Sequence, residues 1–237
     1  MHNNFFRFKQ FTIRHGGSAM KVGTDGVLLG AWAGTEGVRT ALDVGTGSGL
    51  IAVMLAQRTE ATIHGVEMDE FACSQAMENA ILSPWRSRIT IYHADFKNFA
   101  NSAAYTYDLI ISNPPFHWEA IKPEHTARRM ARHNDTLDYS DVIRLSVSLL
   151  SNPGRLALIL PAGEEKGAIE LAAQCSYYTA RITRVCSTTG KAPSRVLLEF
   201  SNLPAECIET ELTIESGTRN QYTERYKKLT GEFYLHF

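Results

Sequence analysis

Three glycines in five positions, Gly45, Gly47 and Gly49, stand between the apolar run Leu42-Asp43-Val44 and a segment of helical period that opens at Leu50. Such a chain leaves a strand, turns sharply and enters a helix, with backbone bare enough for a ligand to approach closely. That is the arrangement of a nucleoside-cofactor loop. A nicotinamide fingerprint spaces its glycines Gly-x-Gly-x-x-Gly, whereas here Gly49 comes one residue early and Leu50 takes the expected place. The spacing argues against a dehydrogenase.

From Thr40 onward, β-branched apolar runs alternate with segments of helical period, the pattern of successive βα units building a parallel sheet. The runs predict seven strands: Ala41–Val44, Thr62–Glu67, Ile89–His93, Tyr107–Ser112, Gly154–Pro161, Tyr178–Ser187 and Arg195–Ser201. Helices are predicted over Leu50–Arg58, Glu70–Leu82, Tyr139–Leu150 and Glu164–Gln174, long enough to cross between parallel strands. The fold expected is a Rossmann-like, doubly wound, mostly parallel α/β sheet. Ahead of it, alternation over Phe5–Ile13 and then Lys21–Leu29 predicts a hairpin and a short helix, which Asp25 is placed to cap. Behind it come a candidate extra strand, Glu211–Glu215, and a basic-aromatic tail. No linker or repeat divides the chain, so one domain is expected over 1–237: an N-terminal extension (1–39), a core (40–201) and a C-terminal extension (202–237).

The ends of the strands carry the chemistry, because ligands of such sheets bind at the carboxyl ends. Glu67, followed by Met68, closes the second core strand, where a carboxylate can accept from both ribose hydroxyls. Asp95, followed by Phe96, closes the third and can accept from an adenine amine. The fourth strand runs into Asn113-Pro114-Pro115-Phe116. An exocyclic amine on a base is a poor nucleophile, its lone pair being delocalised into the ring. The Asn113 side-chain oxygen and the Pro114 carbonyl can accept its two N–H bonds and aim the lone pair at a methyl sulfonium. Prolines fix the carbonyl direction, and Phe116 offers a stacking face to an extruded base. Neither His93 nor His117 is needed as a base, since the amine sheds its proton after transfer.

Composition narrows the setting. The four cysteines lie far apart with no Cys-x-x-Cys, so neither zinc nor disulfides are expected and no metal is assigned. The N-terminus has no apolar signal region and no stretch is long enough to span a bilayer, which places the protein in the cytoplasm, away from membranes. A net charge of −1 excludes a globally basic nucleic-acid binder. Any RNA site is local. The stretch holding Lys122, His125, Arg128, Arg129, Arg132 and His133 reads equally as such a site or as a solvated charged face, and Trp118 as a stacking platform or a core residue.

The glycine loop, the acids at successive strand ends and Asn113-Pro114-Pro115-Phe116 resemble the class I S-adenosylmethionine (SAM)-dependent amino-methyltransferases over Thr40–Ser201. With Lys21-Val22-Gly23-Thr24-Asp25-Gly26-Val27-Leu28-Leu29 and Leu229-Thr230-Gly231-Glu232-Phe233-Tyr234-Leu235 included, the chain resembles the bacterial tRNA1(Val) (adenine(37)-N6)-methyltransferase family almost end to end. The resemblance implies a class I methyltransferase fold, SAM as cofactor and the anticodon stem-loop of a tRNA as partner, with N6 of the adenine 3′ of the anticodon as acceptor. It implies that Asp43, Gly45, Gly47, Gly49, Glu67, Met68, Asp95, Phe96 and Asn113 line the cofactor pocket. Lys21, Thr24 and Asp25 would close over the methionine end, capping remaining the other reading of Asp25. Phe116, Trp118, Arg128, Arg129 and Arg132 would meet the RNA. Competing readings are a protein-glutamine N5-methyltransferase, a guanine N2 methyltransferase of ribosomal RNA, and a non-catalytic binding module on the same scaffold.

Overall fold

A computed structural model describes residues 4–16, 22–102, 104–115 and 137–236. A two-stranded antiparallel hairpin, β1 (Phe5–Arg7) and β2 (Thr12–Arg14), precedes helix α1 (Thr24–Trp32). The sheet follows as β3 (Thr40–Val44), β4 (Thr62–Glu67), β5 (Ile89–His93), β6 (Tyr107–Ser112), β7 (Leu150–Pro161), β8 (Tyr178–Thr188), β9 (Arg195–Ser201) and β10 (Ile208–Glu215). Its helices are α2 (Leu50–Arg58), α3 (Glu70–Leu82), α4 (Phe96–Ser102), α5 (Tyr139–Leu149), α6 (Glu165–Gln174) and α7 (Glu224–Thr230).

The strands lie in the order β10-β8-β9-β7-β6-β3-β4-β5. Strand β9 is antiparallel to both neighbours, and every other pairing is parallel. The carboxyl ends of seven strands therefore share one rim with the amino end of β9. This is the class I methyltransferase fold, with β9 inserted antiparallel, and it differs from expectation in the strand count. The sheet has eight strands, not seven, because the candidate strand at Glu211–Glu215 starts earlier, at Ile208, and pairs in parallel with β8. Only Leu212 of that strand is buried, so its sequence lacks the apolar run that marks the others.

Two apolar layers hold the sheet. On one face, Leu28 and Leu29 of α1 and Met54 and Leu55 of α2 are fully buried against β3 and β4. Each such side chain contributes about 1.5–3 kcal/mol through burial. On the other face, Val142 and Ile143 of α5 and Ala168 and Ala172 of α6 cover Leu156, Leu158 and Leu198. The chain ends meet on the first face. The Lys9 amide donates to the Phe233 carbonyl at 2.9 Å, and the rings of Phe8 and Tyr234 lie 6.0 Å apart.

Two local expectations are corrected. Asp25 does not cap α1: Gly23 is the N-cap residue and supplies no side-chain bond, while Asp25 sits inside the first turn and faces Arg195. Helix α4, unexpected from the sequence, follows β5 directly, with Asp95 Oδ1 accepting from the Asn98 amide at 3.1 Å. Its seven residues are too few to display a helical apolar period.

Candidate cofactor and acceptor site

The glycine loop leaves β3 with Gly45, Gly47 and Gly49 at φ of 68°, 56° and 80°, in the left-handed region that other residues adopt at a cost. The amides of Gly45 and Thr46 both donate to the Val66 carbonyl, at 2.9 and 3.1 Å, which folds the loop over the end of β4. Glu67, at the end of that strand, completes the hold: Oε2 accepts from the Gly47 amide and Oε1 from the Asp69 amide, each at 2.9 Å. Its carboxylate thus braces the loop, and each oxygen keeps a further lone pair for a ligand hydroxyl. A Cβ on Gly47 would meet nothing within 4 Å, so the loop faces open space there. Met68 is about half exposed, whereas the Phe96 ring is buried in the core cluster with Leu42 and Val66.

Asp43 is enclosed at the base of the loop. Its Oδ2 accepts from the Thr46 hydroxyl at 2.5 Å and the Ala52 amide at 3.1 Å, pinning the loop and the first turn of α2 together. Burial pushes its carboxyl up to about 7; the two hydrogen bonds oppose the rise and the nearby charge of Glu67 adds to it. Oδ1 is buried with no hydrogen-bond partner among the described residues.

One strand over, the Ser112 hydroxyl donates to the Val44 carbonyl at 2.8 Å, locking the end of β6 to the end of β3. Asn113 follows directly, and its Oδ1 too is buried without a partner among the described residues. Pro114 is buried and Pro115 exposed. An unmet buried acceptor costs about 1–3 kcal/mol, so two of them on adjacent strands beside an open glycine loop mark where ligand donors are wanted. Acceptors left for ligand donors beside an open glycine loop fit SAM. Among the described residues no cluster of His, Cys, Asp and Glu could hold a metal ion.

Helix α1 brings a third wall. A Cβ on Gly26 would lie 3.0 Å from Leu50 Cδ2, so glycine there lets the start of α1 close on the start of α2. Thr24 is exposed at that helix start, and Asp25 Oδ2 accepts from Arg195 Nε at 2.8 Å. Lys21, Phe116, His117, Trp118, Lys122, His125, Arg128, Arg129, Arg132 and His133 lie outside the described residues.

Sequence reasoning passed over three residues that hold this crevice: Thr46, Asn79 and Arg195. The Asn79 side chain donates to the carbonyls of Ser48 and Arg14, at 2.8 Å each, and accepts from the Arg14 amide at 2.9 Å. It thereby ties the glycine loop to the N-terminal hairpin. Its signal was present, since Asn79 lies on the same helical face as Ala72, Cys73, Ala76 and Ala80, and a buried mid-helix amide needs partners. Arg195 had no local signal.

A family model described as "Methyltransferase small domain" matches residues 23–140. The chain is 42% identical to a tRNA1(Val) (adenine(37)-N6)-methyltransferase of Bacteroides thetaiotaomicron, covering 100% of this chain and 99% of that one. Proteins of the same description from Parabacteroides distasonis and Klebsiella pneumoniae are 43% and 44% identical, covering 99% and 98% of this chain and 99% and 95% of theirs. Among solved structures, a predicted O-methyltransferase from Agrobacterium tumefaciens superposes with a TM-score of 0.68 at 19% identity, covering 88% of this chain and 96% of that one. A magnesium protoporphyrin IX methyltransferase from Synechocystis, solved with SAM bound, gives 0.50 at 19% identity over 75% and 76% of the two chains. These two likenesses carry the fold alone.

The family model and the near full-length relatives together show an enzyme of the SAM-dependent methyltransferases, built on the class I fold. Within that class, the chain belongs to the tRNA1(Val) (adenine(37)-N6)-methyltransferase family.

Proposed function

We propose that this protein methylates N6 of adenine 37, beside the anticodon of tRNA1(Val). The observation that carries the reading is end-to-end identity above 40% with relatives of that description, joined to a buried Asn113 Oδ1 that has no partner among the described residues, at the rim where an acceptor amine must sit. The cofactor half is assigned to Asp43, Gly45, Gly47, Gly49, Glu67 and Asp95, with Thr24 and Asp25 from α1. Bound there, SAM supplies an electrophilic methyl on a cationic sulfur.

The chain's own residues then have one task, which is orientation. Asn113 Oδ1 and the Pro114 carbonyl accept the two N–H bonds of the adenine amine, holding its nitrogen pyramidal with the lone pair directed along one line. Pro114 and Pro115 fix the backbone that carries these acceptors. The surplus proton leaves the alkylated nitrogen for water, so no side-chain base is required. Phe116, with Trp118 and the arginines at 128, 129 and 132, is assigned to the RNA side on sequence grounds. Chain ends that pack into one core support the reading of 1–237 as a single domain. Among the described residues no helix is long and apolar enough to cross a membrane, and all four cysteines are free, which suits a cytoplasmic enzyme of tRNA modification.

The test is methyl transfer from labelled SAM to a tRNA1(Val) transcript, the same transcript with guanine at position 37, duplex DNA, ribosomal RNA and a glutamine-bearing protein. Label on the first that vanishes with the replacement is the expected result. Label on the protein or ribosomal RNA in place of the tRNA would overturn the acceptor assignment.

A further inference from the structure

Along the same carboxyl rim, beyond β7, a cavity of about 780 Å³ opens between the hairpin, the start of α1, the ends of β8 and β10, and the C-terminal segment. Its size is that of pockets which take small organic ligands. Phe5, about half exposed, lines it together with Arg7, Tyr222 and His236, and Asp25 and Arg195 line it from the start of α1 and the start of β9. Arg7 is exposed and makes no ion pair among the described residues. The register fixes where the cavity lies. Arg195 pairs with Pro161 of β7, and β7 pairs with β6, so the cavity wall is two strand spacings, roughly 10 Å, from the strand that presents Asn113.

We infer that this cavity is a subsite for an RNA nucleotide flanking the methylated adenine, its base stacked on Phe5 and its phosphate paired with Arg7. The inference rests on the RNA reading of the acceptor. An aromatic face stacks any base, and an exposed arginine on the lining supplies the charge that a phosphate needs. A base drawn out for chemistry cannot keep its neighbours stacked, and single-stranded RNA is held by aromatic platforms with arginines along the backbone. The cavity provides both, beside the acceptor position and on the same rim. An apolar small molecule would use the rings and leave Arg7 idle.

The test uses the full-length enzyme, a fluorescein-labelled anticodon stem-loop, and the variants Phe5→Ala, Phe5→Trp and Arg7→Ala. Phe5→Ala and Arg7→Ala are each expected to weaken stem-loop binding and raise KM for tRNA about tenfold, the scale of one lost stacking or phosphate contact. SAM affinity and kcat at saturating tRNA stay within about twofold of the parent if the site acts through binding alone. Phe5→Trp keeps parental affinity, and Arg7→Ala lowers the slope of log affinity against log salt by about one. Those two results separate stacking and phosphate contact from mere loss of packing. Equal stem-loop binding by parent and both loss variants would overturn the subsite while leaving the proposed reaction intact. A parent that binds the stem-loop but does not methylate it would sink the acceptor assignment and with it the flanking-nucleotide role, whatever the variants do to binding. A parent that binds no stem-loop would sink both.

Discussion

The two halves of the carboxyl rim are built differently. Around β3 and β4, the polar groups of the proposed cofactor site and its supports are already bonded to one another: Glu67 to the Gly47 amide, Asp43 to Thr46 and Ala52, Asn79 to Ser48. Beyond β7 the rim is open and lined by rings and arginines from segments far apart in the chain. The contrast suits the ligands proposed for the two halves. A cofactor of fixed shape rewards preorganisation, since groups held in place beforehand cost nothing to order on binding. A polymer is gripped through repeated stacking and phosphate contacts that tolerate looser geometry.

If that division is right, damage to the junction between the halves should fall on chemistry. Asn113→Ala is expected to lower kcat by about a thousandfold while SAM affinity changes less than about fivefold, because only the orientation of the amine is lost. Single-turnover methyl transfer beside calorimetric SAM binding separates the two. Retained turnover would break the comparison at its centre. Damage within the cofactor half should fall on affinity instead. Glu67→Ala removes an ionised acceptor from the Gly47 and Asp69 amides, and hydrogen bonds to charged groups contribute about 1.5–3 kcal/mol. SAM binding weakened about ten- to a hundredfold, with tRNA affinity unchanged, is the expected outcome.

The halves also differ in how far the sequence announced them. The proposed cofactor half was legible because its parts are local: three glycines between a strand and a helix, and an acid at the end of each of the next two strands. Glu67 was named from its place at a strand end and Asp43 from the family resemblance, although neither reading gave their bonds to the loop. The far half was not, because Phe5, Asp25, Arg195 and Tyr222 come from four separate segments and meet only when β9 runs antiparallel. Asp25 shows the limit well. Its position near a helix start suggested a cap, and its partner proved to be 170 residues away. Strand β10 was anticipated only over its last five residues and helix α4 not at all, for a plainer reason, one having a single buried residue and the other too few turns.

Asp43 gives the preorganised half a pH signature. An unfolded aspartate titrates near 3.8 and this one near 7. The folded apo-protein therefore holds a proton that the unfolded chain has lost, and stability present below about pH 4 is eroded as pH rises toward and through 7, at up to about 1.4 kcal/mol per unit for one group. A cationic cofactor nearby favours the ionised form, so SAM affinity should rise by up to about tenfold between pH 6 and 8. Asp43→Asn should flatten both dependences. Melting temperatures across this range, with and without SAM, provide the check, and a wild-type affinity independent of pH would show that the charge of Asp43 is not felt at the ligand.

The smallest expected effect lies on the wall between the halves. The Asp25–Arg195 pair is mostly buried, with 26% and 18% of the two side chains exposed, so its coupling should exceed that of a surface pair, which is about 0.2–1 kcal/mol. A double-mutant cycle of Asp25→Asn and Arg195→Gln, read by thermal unfolding, is expected to give a coupling of about 1–2 kcal/mol. Read by SAM affinity, the same cycle decides what the pair is for. If it fixes the start of α1 over the glycine loop, each single variant weakens SAM by a similar, several-fold amount and the double variant goes no further. If Asp25 instead meets the cofactor directly, Asp25→Asn alone carries the loss and Arg195→Gln leaves SAM binding as it was. The wall would then belong wholly to the cofactor half, and the boundary between the halves would move outward to Arg195.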